Sequence, residues 1–459
     1  MTPYSDVSYW LETAGSLAPR ASLEESTRAD VAILGAGFTG LWTAYQLLRR
    51  DPKLRVVIVE REIAGFGASG RNGGWCSAEL NAGIGLLRER FDSDGARAVQ
   101  EAMYATVDEV GRTCEREAID AHFHKGGMLS VARGEHQLAA IEAEEREYSE
   151  AGFPNHYQRL SAQELGERVR VEGAVGALFS PECAVVHAGR LVRGLAEAVE
   201  RLGGVIYEQT EVTSYQGRPS PHLHTARGDV HADVVVLAGE AYLTQLPGLR
   251  RALLPVSSLI VMTEPIPDSK WAQIGWAGRE CMADMRLTVD YLSRTMDGRI
   301  LFGGRGAPYN FGSAISAETE RHEATHSQLR EMLVEWFPML AGVVFTHAWG
   351  GVLGVPRDII PSFTFESDRG VAMASGYAGH GVATANLAGR VLADLITGAR
   401  TALTRLPLVN HRSPSWEPEP LRWLGVRTVQ KGLARVDARA ERTGRPPTGH
   451  SLAERLSKH

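Results

Sequence analysis

The chain has 459 residues, 44% hydrophobic and 23% charged, with 49 glycines and 21 prolines, which excludes disordered and collagen-like classes. At about 150 residues per domain the length implies roughly two or three domains, with cores large enough to need no disulfide staples. The formal net charge is −6 and the basic residues are scattered, so nucleic acid is a poor partner. Cys76, Cys114, Cys183 and Cys281 stand far apart with no CxxC pair, so no metal site or redox dithiol is expected. That usage suits a reducing cytoplasm. The amino terminus lacks the basic start and apolar run of a secretory signal, and no stretch approaches about 18 apolar residues, so no membrane association is expected.

After a polar lead, DVAILG at 30–35 reads as a strand of a parallel sheet. Leu41, Tyr45 and Leu48 recur at helical spacing, and VVIV at 56–59 is a second strand, so 30–59 is a βαβ unit. Helical patterns follow over 96–117 and 135–150, the second rich in glutamate, and Ser161 with Glu164 reads as a capping box. A helix over 188–202, stopped by Gly203-Gly204, precedes strands predicted at 205–212 and 234–238. RLTVDYLSR and RILFGG flank Asp297-Gly298, a hairpin signal. A glycine-rich segment at 375–381 leads into a helix stopped by Gly398, and a polar, arginine-rich tail carries a predicted helix over 421–442.

Gly35-Ala36-Gly37-Phe38-Thr39-Gly40 is a GxGxxG at a strand end and helix start, where backbone N–H groups and the helix dipole can hold a pyrophosphate. Glu60 ends the next strand and is placed to accept hydrogen bonds from ribose hydroxyls, which disfavours NADP; Arg61 follows it. A second glycine-rich segment, GFGASGRNGGW at 65–75, offers amides and the fixed charge of Arg71 beside Asn72. The loop at 375–381 places unpaired N–H groups and a positive helix end where a negative charge could sit.

Together these segments resemble the FAD-dependent amine and amino-acid oxidoreductases of the D-amino-acid oxidase superfamily, nearest to gamma-glutamylputrescine oxidase-like members. The resemblance covers about residues 5–400 and rests on Gly35, Gly37, Phe38, Thr39 and Gly40 with Glu60; on Ser69, Arg71, Asn72, Gly73 and Gly74; on VVVLAGEAYL at 234–243, including Ala238 and Gly239; and on Gly376, Gly379, His380 and Gly381. It implies that the first segment binds ADP, the second threads past the pyrophosphate and flavin ring, and the last reaches the pyrimidine edge. It also implies that the backbone of Val212 contacts the adenine. The implied activity is oxidation of a C–N bond in a small-molecule amine, by hydride transfer to flavin. The resulting imine hydrolyses to an aldehyde or keto acid, and oxygen or another acceptor reoxidises the flavin.

Trp349, Arg286, Tyr291 and His380 are the substrate-pocket candidates; strand alternation sets Arg286 and Asp290 on one face and Tyr291 on the other. No general base is assigned, because an apolar pocket alone favours the neutral amine. No cysteine follows Cys281, and Arg71-Asn72 stands where some relatives carry a flavin-linking histidine, so noncovalent FAD is expected. Ile300, Leu301 and Phe302 occupy the strand where sarcosine oxidase-like members place an oxygen-activating lysine. The rival readings are a flavin-dependent monooxygenase or halogenase, although Ser375-Gly376-Tyr377 replaces the usual GD dipeptide, and a catalytically silent dinucleotide-binding protein. The expected architecture is α/β: a Rossmann-like FAD-binding domain from 1–90, 187–250 and 345–410, interleaved with a mixed-sheet substrate domain from 91–186 and 251–344. A helical extension spans 411–459, and the oligomeric state is left open.

Overall fold

A computed structural model describes residues 3–305 and 309–457. A six-stranded sheet runs in the order Ser362–Glu366, Val371–Ser375, Val234–Leu237, Val31–Leu34, Val56–Val59 and Val205–Tyr207. Every neighbouring pair is parallel except the first, which is antiparallel. VAIL, VVIV and VVVL are nearly all buried, as strands covered on both faces must be. Helices Phe38–Arg50 and Gly381–Thr397 pack against each other so closely that a Cβ on Gly389 would lie 2.6 Å from that of Trp42. This contact brings the amino-terminal ends of both helices to the same side of the molecule.

A mixed eight-stranded sheet runs Phe345–Val355, Leu254–Thr263, Ile300–Arg305, Asp290–Arg294, Cys281–Asp284, Met128–Ala132, Gly176–Ser180 and Gln158–Ser161. Its one parallel pair among the described residues joins Cys281–Asp284 to Met128–Ala132. A separate core of Trp276, Trp336, Phe302 and Phe337 supports it. Strand Phe345–Val355 pairs along Leu254–Thr263. The segment expected to begin the last FAD-domain portion at 345 thus opens in the larger sheet.

The predicted capping box is present, with Glu164 N–H donating to Ser161 Oγ and Ser161 N–H donating to Glu164. The Asp297-Gly298 hairpin joins Asp290–Arg294 to Ile300–Arg305, and Gly398 closes its helix in a left-handed conformation. Four expectations need correction. The strand predicted at 205–212 divides into Val205–Tyr207 and Val212–Gln216, which enter different sheets because the chain turns at Gln209, φ 50°. The helix predicted at 96–117 begins at Gly83, with a break at Asp92. The hairpin's first strand begins at Asp290, because Arg286 N–H donates to Asp284 and Asp437 on the tail helix takes the N–H groups of Leu287 and Thr288. The lead is not merely polar: Trp10, Leu11 and Leu23 are fully buried.

Candidate active site

A cavity of about 600 Å³ opens where the two large sheets meet. Its first wall is the turn between Val31–Leu34 and Phe38–Arg50, contributing Gly35, Gly37, Phe38 and Thr39. Gly40 lies outside the lining and serves packing, since a side chain there would collide with the Gly35 carbonyl oxygen. Glu60 and Arg61 line the cavity beyond the second strand. Ala36 N–H donates to one Glu60 oxygen at 2.9 Å and Glu62 N–H to the other at 3.0 Å, which fixes the carboxylate and leaves lone pairs for further donors. Burial raises the Glu60 pKa, against these two bonds. Glu211, Val212 and Thr213 border the same end, and Arg61 stacks over Tyr242 at 5.4 Å.

The loop at 65–75 crosses the cavity, with Ser69, Arg71, Asn72 and Gly73 in its lining. Ser69 Oγ accepts from Phe38 N–H at 2.8 Å, tying this loop to the first helix end. Asn72 is a turn-former: its amide donates to Ala68 and Ser69 carbonyls and its oxygen accepts from Gly74 N–H. Gly74 itself is outside the lining, packed near Trp10 and the Val186 carbonyl. Arg71 is not the free charge that its sequence position implies. It is 6% exposed, paired with Glu320, and donates through Nε to the Phe66 carbonyl at 2.7 Å. Two residues of the lead hold the loop from behind, Ser8 Oγ donating to the Gly70 carbonyl and Trp10 Nε1 to that of Asn72, both at 2.6 Å.

The late turn brings Gly379, His380 and Gly381 to the cavity, with Tyr377 and Ala378; Gly376 is just outside. Tyr377 OH shares a 2.8 Å hydrogen bond with Thr39 Oγ1, so first and last turns meet directly. Glu240, beside Ala238 and Gly239 in the lining, is the residue that sequence reading missed. Its Oε1 accepts from Gly376 N–H at 2.8 Å and Tyr377 N–H at 3.1 Å, and its Oε2 from Gly354 N–H at 2.7 Å. One carboxylate thereby joins the late turn to strand Phe345–Val355. The signal was an acid directly after the apolar run VVVLAG, where a surface residue is the ordinary expectation.

Of the substrate-side candidates, Tyr291 and His380 line the cavity. Tyr291 OH shares a 2.9 Å hydrogen bond with Ser258 Oγ. Trp349 does not line it; the indole is 3% exposed and donates to the Arg71 carbonyl at 2.9 Å. Arg286 borders a second cavity of about 370 Å³ beneath the tail helix, where it pairs with Glu441 at 3.2 Å. It sits there because 285–289 is a loop held by Asp437, not a strand. At this end the main cavity is bordered by Trp75, Ser77, Glu79, Ala283, Val289 and Asp290.

These features fit a flavin dinucleotide: a close-packed GxGxxG turn, a fixed acid for ribose hydroxyls, two helix amino ends and a wide chamber beyond. The site belongs to the class of dinucleotide-binding oxidoreductases. A family profile described as FAD dependent oxidoreductase matches residues 30–395, and the chain belongs to that DAO family. It is 31% identical over 393 residues to the gamma-glutamylputrescine oxidoreductase of Escherichia coli strain K12, covering 85% of this chain and 89% of that one. It is 27% identical to the glycine oxidase of Geobacillus kaustophilus, covering 83% and 96%. The crystal structure of glycine oxidase from that organism aligns with a TM-score of 0.68 at 25% identity, covering 84% of this chain and 99% of that one. The protein is an FAD-dependent oxidoreductase. Among the described residues no helix is long and apolar enough to cross a membrane.

Proposed function

We propose that the enzyme oxidises a carbon–nitrogen single bond in an amine or amino-acid-derived substrate. The observation that carries this reading is the chamber beyond the cofactor turns, walled by Trp75, Tyr291, Ala283 and Val289 and continuous with the cradle. The similarity to proteins named for amine and amino-acid oxidation supports it.

When bound, FAD supplies a two-electron acceptor for a hydride equivalent from the substrate α-carbon. Gly35, Gly37, Phe38 and Thr39 would hold its pyrophosphate, Glu60 the ribose hydroxyls, and the backbone near Val212 the adenine. Ser69, Arg71, Asn72 and Gly73 would line the path of the flavin, and the positive helix end at Gly381 would stabilise negative charge on it. Glu240 fixes the late turn and Phe345–Val355 in one geometry, and the Tyr291–Ser258 pair fixes the far wall. Aromatic and apolar surroundings desolvate the substrate ammonium, lower its pKa and so favour the neutral amine that can release hydride. The imine product then hydrolyses in water.

All four cysteines are free and buried, and none lines the cavity, which supports noncovalent FAD and a cytoplasmic location. Sheet membership supports two interleaved domains, with Phe345–Val355 assigned to the substrate side. The test is anaerobic: the oxidised holoenzyme is mixed with a panel of amines without NADH, and loss of the visible flavin band is followed. Bleaching by an amine is expected. Turnover that depends on NADH would overturn the reading in favour of a monooxygenase.

A further inference from the structure

The charges around the chamber are unbalanced. Among the described residues the basic ones lining the cavity are Arg61, Arg71 and His380. Arg71 is neutralised by Glu320, Arg61 sits by Glu62 at the Glu60 end, and His380 belongs to the late turn. The far end instead presents Glu79, two residues past strand Trp75–Ser77. Its backbone N–H donates to Ser77 Oγ at 3.1 Å, but its carboxylate has no hydrogen-bond or ion-pair partner among the described residues.

The charge acting on Glu79 is that of another acid, and the groups that Glu79 in turn pushes up are tyrosines and a cysteine. Glu144 stands behind it on helix Leu138–Glu150, followed by Glu147, and Tyr104, Tyr148, Tyr157 and Cys183 surround it from neighbouring elements. Burial, then the Glu144 charge, pushes Glu79 up to about 8, and burial, then the Glu147 charge, pushes Glu144 up to about 7. Asp290 adds another acid at this end; it is 2% exposed and its Oδ2 is buried without a hydrogen-bond partner among the described residues. Arg286 and Arg133 offset part of the burial of Asp290, but Arg286 pairs with Glu441 in the second cavity and neither lines the main one.

We propose that the substrate is of the diamine class, carrying a second, non-reacting cationic nitrogen, and that Glu79 backed by Glu144 receives that cation. The inference rests on the amine-oxidising reading above. A substrate carboxylate at this end would face the Glu79 and Asp290 acids, and among the described residues no guanidinium lines the cavity there to pair it, which disfavours simple amino acids bound in that orientation. A cation there replaces the proton that the empty acid pair retains, and that proton leaves to solvent. Glu79 is thus a specificity-determining residue, and no role as general base is required of it.

The experiment compares a straight-chain monoamine, the α,ω-diamine and the ω-amino acid of equal chain length, by kcat/KM and by anaerobic flavin reduction. The diamine is expected to exceed the monoamine roughly 10- to 100-fold, the range for one hydrogen bond to a charged group, with the ω-amino acid poorest. Glu79→Gln is expected to bring the diamine-to-monoamine ratio close to one. In the wild type that ratio rises from about pH 6 to about pH 9 as the acid pair ionises, and in the variant it is flat. The wild-type ratios and their pH dependence decide the matter even if the variant folds poorly. A ratio near one in the wild type, preference for the ω-amino acid, or an equal loss on all three substrates in Glu79→Gln overturns the proposal. If monoamines bleach the flavin and diamines do no better, this inference alone fails; if no amine bleaches it, the amine-oxidising reading fails too.

Discussion

Glu240→Gln probes the joint on which the late turn depends. In the wild type one buried carboxylate accepts three backbone N–H groups, two on Oε1 and one on Oε2. An amide of the same shape keeps an oxygen for the Gly376 and Tyr377 pair, but its NH2 then faces the N–H of Gly354, donor against donor. Orphaning a buried N–H costs about 1–3 kcal/mol, and converting charge-assisted bonds to neutral ones adds about 1 kcal/mol. Removing a carboxylate whose pKa is already raised by burial offsets part of this, leaving a net loss of about 2–3 kcal/mol. Because the loss falls on the cofactor turn, FAD affinity is expected to drop about tenfold or more, at about 1.4 kcal/mol per decade. Urea unfolding with and without FAD, together with FAD titration of the apoprotein, measures both quantities. Stability within about 0.5 kcal/mol of wild type with unchanged FAD affinity would refute the reasoning.

Gly37→Val is expected to abolish FAD retention while leaving a soluble helical protein, because its Cβ would already lie 3.0 Å from Ser69 Oγ in the cradle; circular dichroism with flavin absorbance checks this, and retained yellow colour counts against the cradle. His187 is neutral in the fold. It is 4% exposed, its Nδ1 accepts from Arg190 N–H, its Nε2 lies 2.9 Å from Thr13 Oγ1, and burial followed by the Arg190 charge lowers its pKa from 6.5 to about 3. Below pH 6.5 the unfolded chain takes up a proton that the native chain refuses, so stability falls by roughly 1.4 kcal/mol per pH unit down to about pH 3. His187→Gln is expected to flatten that slope in denaturant titrations between pH 7 and pH 5, and equal slopes would contradict the assignment.

The parallel sheet was legible because its strands are uninterrupted β-branched runs, and the first turn because glycine spacing there answers a steric demand that a side chain at Gly40 would violate. The capping box and the Asp297-Gly298 hairpin were legible for the same reason: their signals are local. What escaped depends on distant partners. Arg71 looked like a free charge because Glu320 stands 249 residues away, and Arg286 looked like a strand residue because Asp437 holds its loop from the tail helix. Glu240 shows one acid in the sequence and three backbone donors only in space. The lead hid Trp10 and Leu11 in a segment too short and polar on average to announce a packed element.

The central claim is that these turns hold FAD. Purified protein, supplied with FAD during preparation and then denatured, is expected to release FAD, and no NAD, at about one equivalent per chain. Release of NAD, or of no dinucleotide at all, would contradict the account.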